Sequence, residues 1–578
     1  MYRSVVRERR SLPVRSPATR QAAPQSALSL LVPGVKSSDD YHSLDSRRTQ
    51  PEIGAGADEN QARLPLADLA ESGAGRMIRR RDFVRAGIAA ACAPAFTWPD
   101  RTATAADRPH ILLLMADQHR GDWIGAEGTT PVITPNLDRL ASGGVRFGNA
   151  YSSTPTCTPA RAALLTGMSP WNHGLLGYGA VAERYPVEMP RLLREAGYYT
   201  AGIGKMHWHP QRSTHGFNEM LLDESGRAES PEFRSDYRSW FWSEAPDEDP
   251  DATGLNWNGY EARPYALPER LHPTTWTGNT AVRFLRDYER REPFFLKVSF
   301  SRPHSPYDPP KRWMDRYDDA SIPPAAEGAW ADAYRVHSDN GRAPWHGEFG
   351  PAQVRSSRQG YCGSVSFVDE QIGRVLATLR DRRWLDNTLV VYLSDHGDML
   401  GDHHLWRKSY AYQGSARIPM IVHWPAGWAG ARGRVLPNPV EIRDVLPTLL
   451  DAAGAAIPPQ VDGRSLLTLA RDPAAPWRPW IDLEHDVTYN AENHWNALTD
   501  GKRKYIFHAM TGREQLFDLE HDPQEVVDRA GDPGWSDELR AWRDRMIAHL
   551  ALRGAPWVVD GKLGLRTSRQ LHSPNYPG

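Results

Sequence analysis

Cys157-Thr158-Pro159-Ala160-Arg161, running on into Ala162-Ala163-Leu164-Leu165-Thr166-Gly167, concentrates the most chemistry in this 578-residue chain. Thr158 reads as a helix cap and Pro159 as the first helical residue, because proline's missing N–H would have no partner there in any case. Ala160 to Leu165 continue as good helix formers. Residue 157 is therefore expected at a helix N-terminus, where free backbone N–H groups and the dipole favour an anion such as sulfate. Arg161, one turn in, is expected to fold back and donate to oxygens on residue 157. Two acid-led pairs accompany this segment, Asp117-Gln118 and Asp395-His396, each directly after an apolar run.

Cationic and imidazole groups follow in order along the chain: Gly204-Lys205-Met206-His207, then Pro303-His304-Ser305-Pro306, then Lys408, thirteen positions beyond Asp395. Cys-x-Pro-x-Arg leading into Leu-Leu-Thr-Gly resembles the maturation and active-site signature of the type I sulfatases of the alkaline-phosphatase superfamily. The resemblance implies that a separate maturation enzyme oxidises Cys157 to formylglycine, whose hydrated aldehyde is the nucleophile. It implies that Asp117, Gln118, Asp395 and His396 hold one divalent cation. Gln118 and His396 depart from the family's usual Asp-Asp and Asp-Asn pairs, so calcium, the usual ion, comes first while magnesium and manganese stay open.

A sulfate monoester carries a charge that repels nucleophiles, so a metal and the lysines Lys205 and Lys408 must neutralise it and hold the sulfur in line. By the resemblance, His207 deprotonates the second hydroxyl to expel sulfate, and His304 protonates the leaving alcohol with Lys408 as helper. His485 and Trp495, nearer the C-terminus, are expected to touch substrate. The function implied is hydrolysis of aryl or carbohydrate sulfate monoesters. Two alternatives stand beside it: a phosphonate monoester or phosphodiester hydrolase with the same nucleophile, and an inactive carbohydrate-binding protein that retains the fold.

The elements that must position these groups alternate. Ile111 to Met115 is a continuous apolar run, read as a strand buried on both faces. A helix from Thr134-Pro135 to Gly143-Gly144, a strand over Val145 to Ala150, the helix after Cys157, a helix over Pro190 to Glu195 and a strand over Tyr198 to Ile203 follow. Further strands are read at Pro293 to Phe300 and Thr388 to Leu393, separated by a helix around Val365 to Leu379 that takes Cys362 into the core. Such alternation predicts an α/β fold with a large, mostly parallel sheet flanked by helices, and ligands gathered at the carboxyl ends of its strands. Glu229 to Leu267 and Asp318 to Gln353 read as long insertions, the first as a substrate-facing wall. After Pro458 the pattern changes to short strands at Pro479 to Glu484, Trp495 to Thr499, Lys502 to His508 and Glu514 to Leu519, then a helix over Ser536 to Leu550. This predicts a catalytic domain over 107–458 and a smaller antiparallel-sheet-plus-helix subdomain over 459–578.

Composition allows a large buried core: 40% hydrophobic, 24% charged and a formal net charge of -2, with no global field to attract nucleic acid. Three cysteines exclude a disulfide scaffold. No apolar run reaches the roughly 18 residues of a membrane span. Residues 1–76 lack hydrophobic periodicity and are expected to be disordered, or an upstream extension with Met77 as the true start; an organellar transit peptide is the rival reading. Residues 77–106, with Arg80-Arg81, Phe83, an apolar stretch and small residues near Ala105, resemble a twin-arginine export signal, and a lipid anchor on Cys92 would need a better motif. The expected partners are thus a sulfated small molecule or glycan, the maturation enzyme and the twin-arginine translocase, and the expected location is periplasmic or secreted.

Overall fold

The computed structural model describes residues 108–338, 344–486, 488–489 and 493–578. Everything assigned to residues 1–106, the export signal included, lies outside the described residues. At the centre is an eight-stranded sheet ordered β4-β3-β5-β1-β6-β7-β2-β8. Its strands are β1 (His110–Asp117), β2 (Val145–Tyr151), β3 (Tyr199–Gly204), β4 (Glu219–Leu222), β5 (Phe294–Pro303), β6 (Thr388–Ser394), β7 (Met420–His423) and β8 (Arg434–Glu441). All neighbours are parallel except β7, which runs antiparallel to both β6 and β2. The mostly parallel sheet read from the sequence is therefore the architecture.

Alternate residues of β1 feed two separate cores, which is why its apolar run shows no polar alternation. Ile111, Leu113 and Met115 pack with Leu164 and Leu165 of the helix Cys157–Thr166 and with Leu446 and Leu449 of the helix Val445–Ala452. Leu112, Leu114 and Ala116 face Val368, Ile372 and Val375 of the helix Pro351–Asp381 and Val282 and Leu285 of the helix Pro273–Asp287. Burying a Leu or Val side chain contributes about 1.5–3 kcal/mol, so a central strand covered on both faces is a rigid base for whatever sits at its end.

The helix Pro351–Asp381 is 31 residues long and starts well before the expected Val365, within what reads as insertion. Gly360 and Gly363 hide its first turns from a periodicity reading. Both are needed for close packing: a Cβ at Gly360 would lie 2.5 Å from the Ala262 side chain, and one at Gly363 would lie 2.8 Å from Pro309. Glu229 to Leu267, read as insertion, has regular structure of its own. It contains the helix Asp236–Glu244, whose Tyr237 and Phe241 pack on Leu271 and Trp276.

The C-terminal region forms an antiparallel sheet, β12-β11-β10-β9, from β9 (Ile481–His485), β10 (Trp495–Thr499), β11 (Arg503–His508) and β12 (Glu514–Asp518). Trp542, Met546 and Leu550 of the helix Ser536–Leu550 cover one face, against Leu498, Tyr505 and Leu516. The other face, with Leu483, Trp495, Ala497 and Ile506, packs on Tyr151 of β2 and on Met399, Leu405 and Tyr410 beyond β6. No helix among the described residues is long and apolar enough to cross a membrane.

Candidate active site

Four strands of the large sheet end at one place. β1 ends on Asp117, β3 leads into Lys205, β5 leads into His304, and β6 leads into Asp395 and His396. Cys157 enters from the side as the first residue of its helix and is fully buried. Its Sγ lies 3.1 Å from His396 Nε2, 3.4 Å from Lys408 Nζ and 3.9 Å from Asp117 Oδ1. The sequence-predicted Cys157, Arg161, Lys205, His304, Lys408, Asp117, Gln118, Asp395 and His396 thus belong to one connected cluster.

The carboxylates are held from behind. Arg161 Nε donates to Asp395 Oδ2 at 2.9 Å and its Nη2 to Asp117 Oδ2 at 3.1 Å, while Nη1 reaches the Lys205 carbonyl at 2.6 Å. Lys205 Nζ pairs with Asp117 Oδ2 at 2.5 Å. Arg161 does not fold back onto residue 157 as expected: two buried carboxylates are stronger acceptors, and pairing with them offsets the cost of burying the guanidinium. The cap expectation is also corrected. Thr156, not Thr158, is the N-cap, and its hydroxyl bonds Ser409 Oγ at 2.7 Å and His485 Nε2 at 2.6 Å instead of the helix. Pro159 falls two residues inside the helix.

The other oxygens, Asp117 Oδ1 and Asp395 Oδ1, face inward, the latter also accepting from the backbone N–H groups of Gln118 and His396 at 3.1 Å each. His396 Nδ1 donates to the Gly397 carbonyl at 2.9 Å, which leaves the Nε2 lone pair aimed at those oxygens, 3.8 and 3.7 Å away. The donor atoms of Asp117, Cys157, Asp395 and His396 all lie within 4.8 Å of one another. Two carboxylate oxygens, an imidazole nitrogen and the group at residue 157 fit a divalent cation. Burial works against charge on His396, yet Asp395 and Cys157 raise its pKa, the response of a field that attracts a cation. Gln118 stands at positive φ with its Nε2 on Asp398 Oδ2 at 2.5 Å, and its Oε1 accepts from Lys408 Nζ at 3.0 Å.

Lys408 Nζ also donates to His304 Nε2 at 2.7 Å, while His304 Nδ1 donates to the Ser305 carbonyl at 2.8 Å. This fixes the tautomer, and burial followed by the Lys408 charge keeps His304 neutral, its pKa well below the ordinary value. Lys408 keeps its proton: burial opposes it, but Cys157 and Asp117 raise its pKa. Burial and Asp117 push the Cys157 thiol up, and Lys408, Lys205 and His396 outweigh them to bring it down to about 6. His207, at positive φ, is held neutral by burial, Arg227 and Lys205, and its buried Nδ1 has no hydrogen-bond partner among the described residues.

His485 and Trp495 are buried and committed to positioning. His485 holds Thr156, and Trp495 Nε1 donates to the Ser409 carbonyl at 3.0 Å, so the small sheet braces the two loops carrying Cys157 and Lys408. Sequence reasoning missed Asp398, which takes Gln118, the Tyr307 hydroxyl at 2.5 Å and the Arg407 backbone at 3.1 Å. It also missed Glu224, whose carboxylate accepts from the backbone N–H groups of Met206 at 2.9 Å and His207 at 3.0 Å. The available signal was Met220-Leu221-Leu222 followed by Asp223-Glu224, the same apolar-run-then-acid pattern as at Asp117.

Gly204 is where β3 turns into this site, at φ 93°, and a Cβ there would collide with the Ser299 carbonyl oxygen. Gly204→Ala should destabilise the fold by about 3 kcal/mol and misplace Lys205, read as a lower denaturant midpoint with an unchanged slope. An unchanged midpoint would contradict this reading of the turn.

Comparison with known proteins agrees with this geometry. The Sulfatase family model matches residues 109–455, and the model for N-sulphoglucosamine sulphohydrolase, C-terminal, matches residues 401–550. The chain is 37% identical over 472 residues to an arylsulfatase of Clostridium perfringens (strain 13 / Type A), covering 79% of this chain and 97% of that one. It is 33% identical over 463 residues to a choline-sulfatase of Rhizobium meliloti (strain 1021), covering 76% and 87%. In fold it is similar to the phosphonate monoester hydrolase of Agrobacterium radiobacter, with a TM-score of 0.66 at 24% identity over 77% of this chain and 96% of that one.

Proposed function

The chain belongs to the sulfatase family and is a sulfuric ester hydrolase, and from that premise we propose that it cleaves aryl or carbohydrate sulfate monoesters with residue 157, matured from Cys157 to formylglycine, as its nucleophile. The observation that carries this reading is the convergence on Cys157 of Lys408, His396 and Asp117, with Arg161 and Lys205 clamping the carboxylates. Asp117, Asp395 and His396, with Gln118 beside them, would hold a divalent cation, whose Lewis acidity would offset the charge of the ester and of its nucleophile. Calcium is the family's usual ion; magnesium and manganese compete because of the imidazole.

The chain's own residues supply positioning and proton movement. Lys205 and Arg161 fix the orientation of Asp117 and Asp395. Lys408 presents a full positive charge at residue 157, where negative charge collects on sulfuryl and leaving oxygens. The acid is the Lys408–His304 pair, not His304 alone: the proton resides on Nζ, and neutral His304 accepts a hydrogen bond from it at Nε2. Neutral His207 is in the form that accepts a proton, and its Nδ1, without a hydrogen-bond partner among the described residues, is the atom to which we assign that role.

Gln118 and His396 favour a second reading, hydrolysis of phosphonate monoesters or phosphodiesters by the same site. Initial rates on an aryl sulfate, an aryl phosphonate monoester and an aryl phosphodiester, measured after co-expression with a maturation enzyme, separate the two. The sulfate-ester reading expects kcat/KM to be highest for the aryl sulfate; a higher value for either phosphorus ester would overturn it. Export of the folded chain by the twin-arginine translocase, to the periplasm or beyond, is proposed from residues 77–106 alone. N-terminal sequencing of the mature protein should find its start near Ala105.

A further inference from the structure

The basic groups around residue 157 differ in how they are compensated. Arg161 is paired with Asp117 and Asp395, and Lys205 with Asp117. Lys408 donates to Gln118 Oε1, His304 Nε2 and Cys157 Sγ. Arg227 is different: its Nη1 is buried and has no hydrogen-bond partner among the described residues. Burying a guanidinium N–H without an acceptor is costly, and a ligand that brings anionic oxygens removes the cost.

The position of Arg227 points the same way. It closes the turn Asp223 to Arg227 that leaves β4, and that turn is fastened to the segment Gly204 to His207. Asp223 N–H donates to the Gly204 carbonyl at 3.2 Å, Glu224 takes the Met206 and His207 N–H groups, and Arg227 N–H returns to the Glu224 carbonyl at 3.0 Å. Its charge acts on the site: after burial, Arg227 is the largest influence lowering both Lys205 and His207. Against burial, Tyr178, Cys157, Asp117 and Glu224 raise its own pKa. Tyr178, 41% exposed and edge-on to the His207 ring at 6.2 Å, marks this side as open to solvent.

We propose that Arg227 is a substrate-binding residue, its guanidinium holding anionic oxygens of the sulfuryl group from the Lys205–His207 side of the site. The planar fork of an arginine suits two oxygens of a tetrahedral oxyanion. This rests on the sulfate-ester reading.

The test compares Arg227→Gln and Arg227→Lys with the unaltered holoenzyme. It measures KM and kcat for 4-nitrophenyl sulfate, competitive inhibition by inorganic sulfate, and sulfate binding by calorimetry. Arg227→Gln should raise KM and the sulfate dissociation constant together by about 10- to 100-fold, the value of a charge-assisted hydrogen bond, with a smaller fall in kcat. Arg227→Lys should recover part of the binding. Unchanged sulfate affinity in Arg227→Gln overturns the proposal, and so does a variant that loses kcat and thermal stability while binding sulfate normally, since that marks a residue that only orders the turn. If the unaltered enzyme hydrolyses no sulfate ester, the parent reading fails, and calorimetry with inorganic sulfate still decides the role of Arg227.

Discussion

Cys157→Ala is expected to fold normally and to lose at least about four orders of magnitude in kcat on any sulfate ester. The side chain is small and fully buried, so its truncation costs little packing. What it removes is the atom on which His396, Lys408 and Asp117 converge. The variant should still bind inorganic sulfate, because Lys205, Lys408 and the cation-holding carboxylates are untouched. A Cys157→Ala enzyme with kcat within tenfold of the parent would mean that the nucleophile lies elsewhere.

Lys408→Met should lower kcat by about three orders of magnitude for substrates with poor leaving groups and by less for 4-nitrophenyl sulfate. Two contributions fall together: removal of a preorganised charge at the developing anion, typically 10²–10³, and loss of the group that holds the leaving group's proton, typically 10²–10⁴. They share one ammonium, so they do not add. The leaving-group dependence separates this from a packing defect, because an activated phenolate needs no proton and a simple alcohol does. Methionine keeps the buried stem, so the thermal midpoint should hold. Equal losses on good and poor leaving groups would remove Lys408 from the proton's path and leave it a purely electrostatic part.

Much of this site was legible in the sequence because each element announces itself locally. Asp117, His304 and Asp395 follow apolar runs that only a doubly covered parallel strand explains, so their meeting at one sheet end follows from topology. Cys157 sits in a motif specific enough to stand alone. What the sequence hid depends on contacts between distant segments. The N-cap is Thr156 rather than the expected Thr158, its hydroxyl taken by His485 from a different sheet, and the direction of Arg161 is set by two carboxylates 44 and 234 positions away. β4 was missed because it is four residues long, and with it went Glu224 and Arg227. Helical periodicity failed from Pro351 onward because Gly360 and Gly363 serve close packing rather than helix propensity. His485 and Trp495 were placed at the substrate, but the structure makes them braces, a distinction that lies in what they touch.

The central claim is the identity of the group at residue 157, and the mass of the tryptic peptide Phe147 to Arg161 tests it most directly. Protein made together with a maturation enzyme should yield this peptide with the thiol replaced by an aldehyde, in proportion to the specific activity of the preparation. A fully active preparation in which residue 157 remains an unmodified thiol would contradict the account.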